Sequence, residues 1–248
     1  MTSPSEPRTP QFYHVVPPRT ALKLTGALVL AIYGVQLGLA VVGAPPALAV
    51  VLGDAAAIAL LWAWRVDVGF VWPRARFVVA AVLGGLACWY PAAKLVEVVS
   101  PPGDSVVIQT AIDKGPLIVP LACLGIVPAF AEELVFRGVL ARSFAQRGAA
   151  LAIVVSAVAF SAYHLAPAQM LGTLPLAFVL GVLAVGSGSV VPGMVAHLLN
   201  NAIVIVLERD EVPALGRALV ASPPATLACT SALVAAAVVL AMPRGKAA

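Results

Sequence analysis

Charge is scarce in this sequence: Asp, Glu, Lys and Arg together make up 10% of its 248 residues, against about a quarter in a soluble domain. That scarcity excludes water as the main solvent, and the 61% hydrophobic content and mean hydropathy of +1.01 agree. Period-two alternation is also missing. A transmembrane barrel would show segments of about ten residues alternating apolar and polar. Here the apolar residues form continuous runs of about 17 to 25, enough to cross about 30 Å of hydrocarbon at about 1.5 Å per residue. Cysteine supplies no framework: Cys88, Cys123 and Cys229 stand alone in apolar runs with no CxxC pair, so three reduced core thiols are expected. The net charge of +4 does not indicate a nucleic-acid partner, because the basic residues sit at run ends instead of gathering on one solvated face.

What is present reads as an all-α, polytopic membrane helix bundle of about eight transmembrane helices. Runs between charges and Pro/Gly breaks place helices near 22–43, 47–64, 77–98, 117–142, 149–166, 171–187, 189–207 and 224–242. Residues 1–20, rich in Pro, Ser and Thr, read as a disordered cytoplasmic tail. Residues 21–248 read as a single membrane domain with a polar, motif-bearing core at about 117–207. The Ala47-Leu48-Ala49 sequence imitates a signal cleavage site, but the apolar stretch from Leu24 to Val42 is longer than a usual signal core, so an uncleaved first helix is expected. Lys and Arg in short loops mark the cytoplasmic side. With the N-terminus inside and eight crossings, Arg8, Arg19, Lys23, Arg65, Arg74, Arg76, Arg142, Arg147, Arg244 and Lys246 all fall there. Both termini are therefore expected in the cytoplasm, and the Ala- and Val-rich composition suits a bacterial inner membrane.

Against this apolar background a few polar residues call for an explanation, since a charge in hydrocarbon costs at least about 2.5–3.5 kcal/mol. Glu132, Glu133 and Arg137 form an EExxxR sequence in the fourth run. Glu133 and Arg137, four apart, share a helix face and can pair, while Glu132 lies about 100° around. In the fifth run Phe160 and His164 are four apart, and in the seventh so are His197 and Asn201. Each pair is open to a bland reading, either as a neutralised packing cluster, an interfacial histidine, or interhelical hydrogen-bonding glue. Together they supply what hydrolysis needs: a carboxylate to take a proton from water, imidazoles to orient that water or protonate a leaving amine, and His/Asn donors for an oxyanion. No Ser or Cys nucleophile is required.

In these three motifs, Glu132-Glu133-Leu-Val-Phe-Arg137, Phe160-Ser-Ala-Tyr-His164 and His197-Leu-Leu-Asn-Asn201, the chain resembles the CAAX prenyl endopeptidase and bacteriocin-processing (CPBP or Abi) intramembrane peptidases. The resemblance covers about 70 residues and implies an intramembrane endopeptidase acting on a membrane-associated or lipidated protein or peptide. It further implies that Glu132, helped by His164, activates water, that His197 and Asn201 form the oxyanion site, and that Glu133, Arg137 and Phe160 support them. Two His and a Glu could instead ligate zinc through Glu132, His164 and His197. The absence of HExxH and the poor ligand quality of Asn favour hydrolysis without a metal or other cofactor.

Counted from the cytoplasmic ends of these nominal helices, Glu132 lies about 15 Å deep, His197 about 12 Å and His164 about 22 Å, so the fifth helix must start later or tilt if His164 is to join the others. Asp54 in the second run is read equally as a cavity-lining group and as a hydrogen-bonded packing residue. Lys94 and Glu97 are expected to pair, and Trp62, Trp64 and Trp72 to anchor helix ends at the interface. A transporter whose charges line a pathway, or a non-catalytic membrane scaffold, are the competing functions. The partners expected are the lipid bilayer and a membrane-associated substrate, with no nucleic acid, and the sequence specifies no oligomeric state.

Overall fold

The computed structural model describes residues 15–99 and 115–242, so residues 1–14 of the expected tail lie outside the described residues. The rest is helical, in ten segments: α1 Pro18–Val41, α2 Pro46–Ala63, α3 Ala75–Ala87, α4 Trp89–Val99, α5 Ile118–Arg147, α6 Ala149–Tyr163, α7 Pro167–Ser187, α8 Val191–Glu208, α9 Pro213–Ala221 and α10 Pro223–Ala241. All eight expected runs are helical, and the chain is a polytopic helical membrane protein. Among the described residues seven spans are long and apolar enough to cross a bilayer, with α3 and α4 counting as one. The eighth, α6, has 15 residues, about 22 Å of helix, and is short for a full crossing.

Proline explains most of the punctuation. Pro18, Pro46, Pro167, Pro192, Pro213 and Pro223 sit in the first turns of their helices, where no N–H is needed. Pro91 cannot donate to the Ala87 carbonyl, and the third span is interrupted at Cys88 for that reason, splitting the expected 77–98 helix into α3 and α4. The tight Gly186–Ser189 connection is as short as expected: Gly188 takes a left-handed conformation (φ +69°) at the end of α7, and α8 starts at Val191. Several boundaries differ. The fourth helix runs on to Arg147 instead of ending near 142, the fifth stops at Tyr163 instead of 166, and α9 forms where a loop was expected.

Consecutive ends alternate. At one end, Arg142 Nη2 donates to Asp67 at 2.9 Å and its Nη1 to the Gly188 carbonyl at 3.4 Å, while the Ser189 hydroxyl donates to the Val71 carbonyl. This ties the loop after α2, the end of α5 and the α7–α8 turn together. At the other end, Arg209 donates to the Gly115 carbonyl at 3.2 Å. Two apolar clusters fill the interior, one joining α1, α2, α5 and α6 around Phe136, Leu140 and Phe160, the other joining α3, α7, α8 and α10 around Phe77, Leu180 and Ala196.

The α3–α8 contact is a close backbone approach one residue before His197 on α8. A Cβ on Gly85 would lie 2.5 Å from the Ala196 carbonyl oxygen, with the rest of the Ala196 backbone at 2.9–3.0 Å, so only glycine lets α8 come this near. Gly85→Val is expected to cost about 1–3 kcal/mol by overpacking, read as a lowered unfolding temperature in detergent. Gly216→Val, where nothing lies within 4 Å, is the control expected to leave it unchanged.

Candidate active site

Two stretches of α5, Leu121–Ile126 and Glu133–Ala141, are wound as π-helix. The Val127 N–H reaches back five residues to Ala122, and the Arg142 N–H to Arg137. π turns are rare and frequently occur at functional sites. The second begins just after Glu132 and holds Glu133 and Arg137, where Arg137 Nη1 donates to Glu133 Oε1 at 2.8 Å with both side chains fully buried. Arg137 Nη2 also donates to the Ala177 carbonyl of α7 at 3.1 Å, and the guanidinium carbon lies 4.4 Å from the centroid of the Phe160 ring, while Nε has no hydrogen-bond partner among the described residues. A planar, delocalised cation is suited to serving a carboxylate, a carbonyl and a ring face at once.

Helix α8 delivers His197 between the two glutamates. Nδ1 lies 3.3 Å from Glu133 Oε1, off the line of a good hydrogen bond, and Nε2 faces Glu132 Oε2 at 3.8 Å. The second gap is too long for a hydrogen bond, as catalytic pairs often are before substrate arrives. His197 is 3% exposed and Glu132 7%. One turn earlier on α8, Gly193 gives Glu133 its space, since a Cβ there would overlap Glu133 Oε2. One turn later, Asn201 Nδ2 donates to the Leu124 carbonyl at 3.1 Å. Pro128 has no N–H to offer that carbonyl four residues before it, so Asn201 serves an acceptor that the proline leaves short. An amide nitrogen has two hydrogens, and the other is not needed for this bond.

Phe160 and His164 complete the cluster from α6. The Phe160 ring centroid is 5.5 Å from His197, 5.0 Å from His164 and 5.4 Å from Phe136, each edge to face. The His164 Nδ1–H donates to the Phe160 carbonyl at 3.0 Å. The depth mismatch expected from the sequence disappears: α6 starts at Ala149 as expected, but α5 extends to Arg147. Glu132 and His164 therefore lie equally far from the turn that joins the two helices, about 22 Å along each arm. Level does not mean bonded. Among the described residues, no hydrogen bond or ion pair joins His164 to Glu132 or His197, and its neighbours are the Phe160 and Tyr163 rings. Nor do three His, Cys, Asp or Glu side chains among the described residues converge as a metal centre would require.

The structure thus gathers Glu132, Glu133, Arg137, Phe160 and His197 in direct contact or close to it, with His164 and Asn201 at the edges. Three contributors escaped the sequence reading. Gly193 is marked only by its GxxxH spacing, the Ala177 carbonyl is a backbone group that no motif shows, and the Leu124–Asn201 bond was foreshadowed only by Pro128. The expected Lys94–Glu97 pair forms at 2.7 Å, away from the cluster.

Comparison with protein families matches residues 114–203 to the family described as type II CAAX prenyl endopeptidase Rce1-like. The matched stretch contains all three motifs, so the resemblance read from them is borne out over that segment. Comparison with curated proteins and with solved structures gave no match.

The buried pair generates a sharp stability expectation. Arg137→Met alone leaves Glu133 charged and unpartnered and should cost about 3–5 kcal/mol, whereas Glu133→Leu combined with Arg137→Met should recover most of that loss. Unfolding the single and double variants in detergent checks it, and additive losses would show that the two side chains are not energetically coupled.

Proposed function

We propose that the protein is an intramembrane endopeptidase in which Glu132 activates a water molecule to hydrolyse a peptide bond in a membrane-associated or lipidated substrate. The observation that carries this reading is the Glu132 carboxylate opposite the His197 imidazole at 3.8 Å in a nearly closed interior, on the segment that matches a CAAX-type endopeptidase family. In the proposed reaction, Glu132 takes a proton from water as the water oxygen bonds to the scissile carbonyl carbon. The developing oxyanion is met by donors from His197 and by the second Nδ2 hydrogen of Asn201. As the C–N bond breaks, the proton passes to the leaving nitrogen.

Glu133, Arg137 and Phe160 do not touch substrate in this scheme. Glu133 and Arg137 hold His197 and the α5–α7 contact in place, and Phe160 supplies the face against which the guanidinium and both imidazoles rest. His164, level with Glu132, would orient the water or relay the proton once a substrate fills the gap. The reading needs no cofactor. Its sidedness follows the basic residues: the end bearing Arg65, Arg74, Arg142 and Arg147 faces the cytoplasm, and eight alternating helices return both termini to that side of a bacterial inner membrane.

Purified protein acting on a panel of membrane-tethered peptides tests the chemistry. Glu132→Ala, confirmed folded, should lose about 10²–10⁴-fold in cleavage rate, the usual worth of a general base, and a chelator should leave the native rate unchanged. Undiminished cleavage by Glu132→Ala would sink the assignment, and chelator loss restored by zinc would move the site to metal catalysis. For sidedness, reporters fused at the two termini should both read cytoplasmic, while a fusion at Arg209 should read external.

A further inference from the structure

The N-terminal helices carry no motif, yet one of them delivers a charged group into the interior. Asp54 lies on α2, whose inward face is formed by Ala49, Gly53, Asp54, Ala57 and Leu61. That face packs on α1 and on the part of α5 that runs from Leu121 to Glu132. Asp54 is 1% exposed, and neither carboxylate oxygen has a hydrogen-bond partner among the described residues. A buried carboxylate with no cation and no donor is costly enough that such a group ordinarily neutralises or recruits water. The cations Lys94, Arg137 and Arg142 are engaged elsewhere, with Glu97, Glu133 and Asp67.

The charge of Asp54 acts on Glu132 from α5 and on Tyr163 from α6, and Tyr33 from α1 is coupled to both of those in turn. Tyr33 spends its hydroxyl proton on the Tyr163 carbonyl. Beyond them lie Glu133 and Arg137, already paired, and the two histidines. Among the described residues no hydrogen bond to the Glu132 carboxylate is made, and His197 Nε2 stands 3.8 Å away. Two carboxyls therefore share one low-dielectric interior, Asp54 on a helix face that packs against the α5 stretch ending at Glu132, and there both cannot readily be ionised.

We propose that Asp54 is a positioning residue of the site: a carboxyl that keeps one proton and donates it in a hydrogen bond, directly or through one water molecule, to the Glu132 carboxylate. The arrangement gives Glu132 what a catalytic base ordinarily has, a third group that fixes its aim. The proton stays on Asp54 through the cycle while Glu132 takes and releases the proton of water. This inference rests on the reading of Glu132 as the base.

Infrared spectroscopy of the purified protein tests it without any cleavage. At neutral pH the carbonyl stretch of a protonated carboxyl is expected, lost in Asp54→Asn and moved in Glu132→Gln, which removes the neighbouring charge. A spectrum with no such band, or one that Asp54→Asn leaves intact, overturns the proposal. So does a band that Glu132→Gln does not move, and this arm decides the matter even if Asp54→Asn fails to fold. The pH profile of cleavage is the second readout. Asp54→Asn keeps a donor that does not titrate, so it should stay within about tenfold of the native rate and lack the fall at alkaline pH that ionisation of Asp54 produces in the native enzyme. Asp54→Leu, which fills the space without a donor, should drop by about 10²-fold. An alkaline fall unchanged in Asp54→Asn overturns the proposal. If the infrared bands behave as expected but no sample cleaves any peptide, the peptidase reading fails while the carboxyl pair stands.

Discussion

The polar interior depends on one buried ion pair, Glu133 with Arg137. Neither side chain reaches solvent, and two charges removed from water repay their desolvation only with close geometry and further hydrogen bonds. Arg137 adds a hydrogen bond to the Ala177 carbonyl and a contact with the Phe160 ring, and Glu133 a contact with His197, while Arg137 Nε and Glu133 Oε2 have no hydrogen-bond partner among the described residues. Each of those partners lies on a different helix, so satisfying a single guanidinium and a single carboxylate draws α5, α6, α7 and α8 into one register. Gly193 completes the requirement from the steric side.

Around that pair, the chain repeatedly resolves a backbone deficit with a side chain. Pro128 leaves the Leu124 carbonyl short of a donor, and Asn201 supplies it across the α5–α8 interface. The same amide that reads from sequence as oxyanion machinery thus also fastens α8 to the proline-disturbed half of α5. In an apolar solvent that bond matters, because a carbonyl left without a partner cannot turn to water.

Much of the fold was legible because hydrocarbon imposes long apolar runs, and these survive inspection one residue at a time. The eight runs became eight helical regions, and the motif residues came together because four-residue spacings keep their side chains on one helical face. What was not legible has physical causes. The end of the fourth helix was misplaced because Arg142 looked like a terminus, although its guanidinium is consumed by Asp67 and Gly188 and the helix continues beneath it. That single boundary produced the apparent depth conflict of His164. The π winding of α5 leaves no compositional mark. Asp54 was visible as an anomaly, but its facing toward Glu132 depends on how α2 packs, which no spacing within α2 encodes.

The Arg142 junction also shapes one end of the bundle. By binding Asp67 and the Gly188 carbonyl together, it knits the loop after α2 to the α7–α8 turn beneath Arg137, where a Cβ on Gly138 would already lie 2.7 Å from Val68. The loop and the turn therefore meet around a small cavity of about 70 Å³ lined by Val68, Arg137, Arg142 and Gly188, so that end of the bundle is laced by single bonds and is not packed solid.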